Sequence, residues 1–242
     1  MNKVIIVTGG SKGIGNAICS HYLNNGFIVY SISRSTNNRL INNRFKQVRF
    51  DFLKSNSAEL EEMFLNILNR NKNVDEIYLF NNAGTLGEVK EVGGFSYDDI
   101  EKVIKVNTLI PFFLTNLFVN VTQNWTCSKR VINISSGAAV NPIEGWSIYG
   151  SSKSAIDMFT KVMGLEQEYQ DTPVIVISIY PGKVNTQMQE EIRSTSPDNF
   201  KRVNQFIEFK NSGVLYSPEF VADKIFNLLD KDELKNGEII RL

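Results

Sequence analysis

Tyr149 and Lys153, spaced Tyr-x-x-x-Lys and preceded closely by Ser135-Ser136, form the group of side chains best suited to moving a proton. Positions i and i+4 share a helix face, so the Lys153 ammonium is expected beside the Tyr149 phenol, where it favours the ionised ring. An unperturbed phenol, with a pKa of about 10, holds its proton too tightly to exchange it readily near neutral pH. Taken alone, the pair also fits surface packing. A second group opens the chain, where Thr8-Gly9-Gly10-Ser11-Lys12-Gly13-Ile14-Gly15 follows the apolar run Val4 to Val7. Glycines at 9, 13 and 15 let backbone approach a pyrophosphate at the mouth of a helix, where free N–H groups and the helix dipole favour an anion. A turn of this kind also occurs for packing alone.

The next strand end says which nucleotide to expect. A dinucleotide fold that takes NAD usually carries an Asp or Glu there for the ribose 2′-hydroxyl. From Gly15 to Phe50 this chain has no acidic residue, whereas Arg34 follows the second apolar run and Lys12 stands in the glycine turn. Two cations without a carboxylate favour a 2′-phosphate, which a guanidinium can grip bidentately. Ordinary solvated charges are the plainer explanation. Asn81-Asn82-Ala83-Gly84 ends a fourth apolar run, and its small residues suit either a close ligand or a simple turn.

These groups need a scaffold that brings them together. Strands are expected at 3–7, 27–32, 46–50, 76–80, 130–134, 174–179 and 238–240, with amphipathic helical segments between them. Alternation of this kind implies an α/β fold, a doubly wound Rossmann-type sheet of about seven parallel strands with helices on both faces. Near-continuous apolar runs such as Val174-Ile175-Val176-Ile177 suit strands covered on both sides. Ligands of such sheets bind beyond the carboxyl ends of the strands, so the motif-bearing turns should converge there.

The 242 residues fit one domain, without a linker or internal repeat. Twenty-six basic residues balance twenty-six acidic ones, so nothing marks the surface for nucleic acid or membrane. A strand begins within three residues, without a signal-peptide pattern, and no apolar run is read as reaching the roughly 18 residues that span a bilayer. A cytoplasmic location is expected. Cys19 and Cys127, placed in helix or helix-end segments, suit reduced thiols, and His21 in the first helix suits packing better than metal binding.

Together, Thr8-Gly-x-x-x-Gly13-x-Gly15, Asn81-Asn82-Ala83-Gly84, Asn107, Ser136, Tyr149-x-x-x-Lys153 and Pro181-Gly182-Lys183-Val184-Asn185-Thr186 resemble the short-chain dehydrogenase/reductase family over essentially the whole chain. The resemblance implies an NADP(H)-dependent carbonyl reductase that needs no metal. It makes Tyr149 the proton donor to the carbonyl oxygen and Ser136 a hydrogen-bond donor to that oxygen. Lys153 would hold the nicotinamide ribose and lower the Tyr149 pKa, and Asn107 would anchor a water in a relay through Lys153. It places Gly9, Ser11, Lys12, Gly13 and Ile14 around the phosphates, with Arg34 on the 2′-phosphate side. Asp51 would approach the adenine, Asn82, Ala83 and Gly84 the adenosine ribose region, and Pro181, Gly182, Val184 and Thr186 the nicotinamide side.

Asn141 to Tyr149 and Asn185 to Arg193 look like the sepiapterin reductase and benzil reductase branch of that family, and Asn236 to Arg241 looks like benzil reductase in particular. Sepiapterin reductases anchor the pterin with an acid near the C-terminus, where this chain has Arg241. A bulky aromatic ketone or 1,2-diketone is the expected substrate. A pterin or other ketone is the alternative, as is a non-catalytic NADPH-sensing role. Residues 186–216 read as a substrate lid, with Met188, Ile192, Phe200, Phe206, Ile207 and Phe209 among charges. An apolar stripe is also what a core helix shows. Met188, Phe206 and Trp146 are the expected substrate walls, although Trp146 equally fits a core or dimer contact. The resemblance also implies a homodimer through 97–122 and 147–169, partly burying Phe112, Phe113, Leu117, Met158 and Phe159.

Overall fold

A computed structural model describes residues 2–36, 40–230 and 234–242. Its seven strands are β1 (Lys3–Thr8), β2 (Ile28–Ser33), β3 (Phe45–Arg49), β4 (Glu76–Asn81), β5 (Ser128–Ile134), β6 (Ile175–Tyr180) and β7 (Glu238–Arg241). Each falls within two residues of its expected bounds. All neighbours pair in parallel, in the order β3-β2-β1-β4-β5-β6-β7. The helices are α1 (Gly13–Asn24), α2 (Ser57–Asn69), α3 (Tyr97–Ile104), α4 (Ile110–Thr122), α5 (Ser147–Gln167), α6 (Gln187–Arg193), α7 (Val203–Asn211) and α8 (Pro218–Leu229). From β1 the chain winds outward to β3, then returns to place β4 on the other side of β1. That reversal opens a crevice at the carboxyl ends of β1 and β4.

The apolar runs are explained by burial on two faces. Ile5 and Val7 of β1 with Tyr78 and Phe80 of β4 face one core, shared with Ile18 of α1 and Ile225 of α8. Val4, Ile6, Ile77 and Leu79 face the other, against Phe64 of α2 and Leu114 and Phe118 of α4. Each fully buried side chain of this size contributes about 1.5–3 kcal/mol over exposure, so both covered faces hold the sheet in place.

Helix starts follow the capping residues of the sequence at α2, α3 and α8. Asn56 with Glu59 and Ser96 with Asp99 form capping boxes at α2 and α3, and Ser217 with Pro218 starts α8. Helix α1 begins at Lys12 without a side-chain cap and without an acid in its first turn. Its first N–H groups therefore remain directed at the crevice.

Helices α3 and α4 run into one another through a π-helical turn, Lys105–Leu109. The joined stretch Tyr97–Thr122, 26 residues, is by length and composition enough to cross a membrane, which corrects the expectation that no such run exists. Its apolarity is used in packing: Ile110, Leu114, Leu117 and Phe118 lie in the second core. Leu117 is thus already buried within its own chain, while Met158 is 61% exposed. Cys19 and Cys127 are free thiols, but Cys127 stands just before β5 rather than at a helix end. The His21 ring packs 4.7 Å from that of Phe226.

Candidate active site

The turns that follow β1 to β6 meet in one continuous cleft of about 1250 Å³. Gly9, Ser11, Lys12, Gly13, Ile14, Arg34, Asp51, Asn82, Ala83, Gly84, Pro181, Gly182, Val184 and Thr186 all line it, as do Ser136, Tyr149 and Lys153. Gly9 and Gly13 have positive φ, 71° and 54°, a conformation that suits glycine. A Cβ on Gly9 would stand 2.9 Å from Ala83 Cα, and one on Gly13 would stand 3.4 Å from Thr186 Cγ2. At Gly9 a side chain would collide with the backbone of Ala83, and at Gly13 the positive φ would strain it.

The glycine turn is braced from β4. Thr8 Oγ1 donates to the Phe80 carbonyl at 3.2 Å and accepts from the Asn82 and Ala83 amides, each at 3.0 Å. Asn82 Nδ2 donates to the carbonyls of Thr8 at 2.9 Å and Gly9 at 3.2 Å. The Asn82 amide thus holds the turn in shape while the residue forms part of the cleft wall. Thr8 received no role in the sequence reading, although it heads the glycine motif.

At the adenosine end, Ser35 Oγ donates to Ser11 Oγ at 3.1 Å, which joins the β2 turn to the glycine turn. Lys12 Nζ donates to Gln187 Oε1 on α6. This lysine was expected at the phosphates, and here it reaches across to the start of the lid.

On the other side of the crevice, α5 carries Tyr149 and Lys153 on its buried face, 7% and 6% exposed. Lys153 Nζ donates to the Ile134 carbonyl at 2.8 Å and lies 5.9 Å from the Tyr149 ring centroid. Burial raises the Tyr149 pKa, and the Ser136 hydroxyl bonded to the phenol partly offsets this. Burial also pushes Lys153 down to about 8, while the carboxylate of Asp157 opposes the fall. The net direction at Tyr149 is therefore upward, opposite to the expected lowering: burial dominates, and the Lys153 ammonium, which donates to a backbone carbonyl, is not among the groups that shift it.

Asn107 sits in the π turn and does not line the cleft. It is 1% exposed; Oδ1 accepts from the Thr85 amide at 2.9 Å, and Nδ2 donates to the Thr85 carbonyl at 2.9 Å and Ser152 Oγ at 3.0 Å. Ser152 Oγ donates onward to the Tyr149 carbonyl at 2.6 Å. Asn107 Oδ1 and Lys153 Nζ still flank one space, since a Cβ on Gly84 would lie 3.6 and 3.7 Å from them.

Beyond Tyr149 the cleft becomes aromatic. Trp146 packs edge-on to Tyr149 at 5.6 Å, stacks on Phe200 at 5.7 Å and meets Phe206 at 5.5 Å. Leu86, Val89, Ile192 and Val203 complete this cluster, with Met188 and Phe209 packed against it. Trp146, Met188 and Phe206 are therefore both the lid's core and walls of the cleft. Ile207 faces outward, 38% exposed. The two ends of the lid are tied by backbone bonds of 2.9 Å, Asn185 N to Tyr216 O and Tyr216 N to Lys183 O.

A doubly wound parallel sheet in which Ser136 and the buried Tyr149 and Lys153 line one cleft with an uncapped glycine turn defines an oxidoreductase of the Rossmann type. The chain belongs to the short-chain dehydrogenase family, whose model matches residues 3–197. It is 36% identical to "Benzil reductase ((S)-benzoin forming)" of Bacillus cereus, with 99% of each chain covered. It is 31% identical to the sepiapterin reductase of Meriones unguiculatus, covering 97% of this chain and 94% of the relative. Among solved structures, the KRED1-Pglu enzyme superposes with a TM-score of 0.86 at 25% identity, covering 99% of this chain and 100% of the other.

Proposed function

We propose that this chain is an NADPH-dependent carbonyl reductase for bulky aromatic ketones or 1,2-diketones. The observation that carries this reading is that Ser136 and Tyr149 line the same cleft as Trp146, Met188 and Phe206. NADPH, when bound, supplies the hydride. Gly9, Ser11, Gly13, Ile14 and the start of α1 would hold its pyrophosphate, and Lys12 and Arg34 its 2′-phosphate. Asp51, Asn82, Ala83 and Gly84 would line the adenosine half, and Pro181, Gly182, Val184, Thr186 and Lys153 the nicotinamide half.

The chain's own residues answer one problem, the negative charge that reduction leaves on oxygen. The Tyr149 hydroxyl donates its proton to the substrate oxygen, while the Ser136 hydroxyl donates a hydrogen bond to the same atom. The Lys153 ammonium keeps the nearby potential positive, and the lid cluster excludes water. The relatives named benzil reductase favour a diketone. At the C-terminal end, where a pterin-anchoring acid is expected, Arg241 lies 5.5 Å over the Tyr180 ring. A pterin brings several buried donors, each costing about 1–3 kcal/mol if left unpaired. An assay of NADPH consumption with benzil tests the reading: turnover supports catalysis, and binding of NADPH without turnover of any ketone favours a sensing role.

The pKa directions set the pH dependence. Tyr149, raised by burial, stays neutral through the working range, and Lys153 loses its charge as pH rises through about 8. Ketone reduction needs both protonated, so kcat/KM should be level in acid and fall across that value. A rate that climbs through the same range in stopped-flow or steady-state assays would refute the roles given to these groups.

A homodimer is also proposed. Leu109 on the π turn before α4, Met158, Val162 and Leu165 on α5, and Tyr169 just after α5 leave 57%, 61%, 45%, 61% and 87% of their surface exposed. Phe112 stacks on Phe159 at 4.2 Å between the two helices. Light scattering at micromolar concentration should give twice 27.4 kDa. A single-chain mass would reject the dimer.

A further inference from the structure

One buried acid near the site has no part in the chemistry above. Asp157 lies on α5 one turn beyond Lys153 and is 5% exposed. Its Oδ1 accepts from Ser178 Oγ at 2.7 Å and its Oδ2 from the Tyr180 hydroxyl. Both donors stand on β6, whose end leads directly into the Pro181-Gly182 turn of the cleft. Two hydroxyls satisfy the hydrogen bonding of a carboxylate but leave its charge, and a buried charge needs an opposite one nearby.

The groups around it supply that charge from one side. On α5 itself, Lys153 and the neutral Tyr149 lie toward the cleft, while Lys161, a further turn along, is exposed. On β6 the facing groups are Ser178 and Tyr180, and on β7 Arg241 lies over the outer face of the Tyr180 ring. On β5, Asn133 is neutral and bonds Thr160 of α5. Lys153 is thus the buried cation on the carboxylate's own helix face.

We infer that Asp157 is a positioning residue for the reduction: fixed by Ser178 and Tyr180, its carboxylate keeps Lys153 protonated at neutral pH. The Asp157 charge opposes the burial that lowers the Lys153 pKa, in agreement with this arrangement. The side chain touches neither substrate nor cofactor and acts only through the ammonium. The inference rests on the role given to Lys153 above.

The test reads NADPH affinity against pH by fluorescence, with the pH profile of kcat/KM for benzil alongside. In the wild type, affinity should weaken as Lys153 loses its charge, and Lys153→Ala should abolish that pH dependence. Asp157→Asn should move the midpoint down by about one pH unit, giving roughly tenfold weaker behaviour on the alkaline side and little change in acid. Tyr180→Phe keeps the charge but removes one donor, so it should leave the midpoint in place or raise it. If Asp157→Asn does not fold, Asp157→Ser takes its place, with the same lowered midpoint expected and an unchanged midpoint overturning the inference. A loss in Asp157→Asn that is equal at all pH values, or a midpoint lowered by Tyr180→Phe, would overturn the inference. If Lys153→Ala leaves the pH dependence intact, the role of Lys153 itself is wrong.

Discussion

Tyr149→Phe should lower kcat for the best ketone by about 10²–10⁴-fold while leaving NADPH affinity nearly unchanged. The split follows from the geometry. The Tyr149 ring is a packed part of the Trp146 cluster, and phenylalanine preserves that packing. The hydroxyl, which lines the cleft with Ser136, is the proposed proton donor. Lys153→Ala, in contrast, should damage both binding and turnover, because Lys153 is proposed to hold the nicotinamide half of the cofactor as well as to keep the potential at Tyr149 positive. Steady-state kinetics and fluorescence titration separate the two parameters. Retention of most turnover by Tyr149→Phe would remove the proposed proton donor.

The second large effect concerns the cofactor. NADPH should be preferred to NADH by roughly tenfold or more, since one charge-assisted contact to phosphate contributes about 1.5–3 kcal/mol. Arg34 lines the adenosine end of the cleft, beside the joined Ser11 and Ser35 hydroxyls. Arg34→Asp places a carboxylate where the NAD-type pattern has one, and should abolish or reverse the preference. Lys12 is expected to contribute less, because its ammonium is engaged with Gln187. Equal kcat/KM with the two cofactors in the wild type, or an unchanged preference in Arg34→Asp, would contradict the assignment.

The fold and the convergence of the motif-bearing turns are legible in the sequence because local chemistry and sheet topology point the same way. Val4 to Val7 and Val174 to Ile177 are apolar on both faces, a pattern that suits strands sandwiched between helices. Once the strands are parallel, their carboxyl ends must share one edge, and every motif-bearing turn lies there. Periodicity carries less about features decided by packing. The π turn that directs Asn107 at Thr85 depends on contacts across to α5, not on a local signal. The rise in the Tyr149 pKa was missed for a related reason. Spacing alone brings the lysine near the ring, but how deeply both are buried, and that Nζ turns to the Ile134 carbonyl, are properties of the folded crevice. Leu117, expected to be partly buried in a dimer contact, is already buried in its own chain's core, which periodicity alone does not tell apart.

The lid shows the same division. Its apolar residues were visible, but their sorting was not: Phe206 and Ile207 are neighbours in sequence, one on the Trp146 cluster and the other turned outward. That sorting is what makes the cleft aromatic beside Tyr149, and it bears directly on substrate choice. An aryl diketone brings no buried donors that need partners, and its second carbonyl makes the first more electrophilic.

The most direct test compares kcat/KM for benzil and sepiapterin in one buffer with saturating NADPH. Benzil should be reduced at one carbonyl, with sepiapterin a much poorer substrate. Sepiapterin equal to or better than benzil would contradict the account.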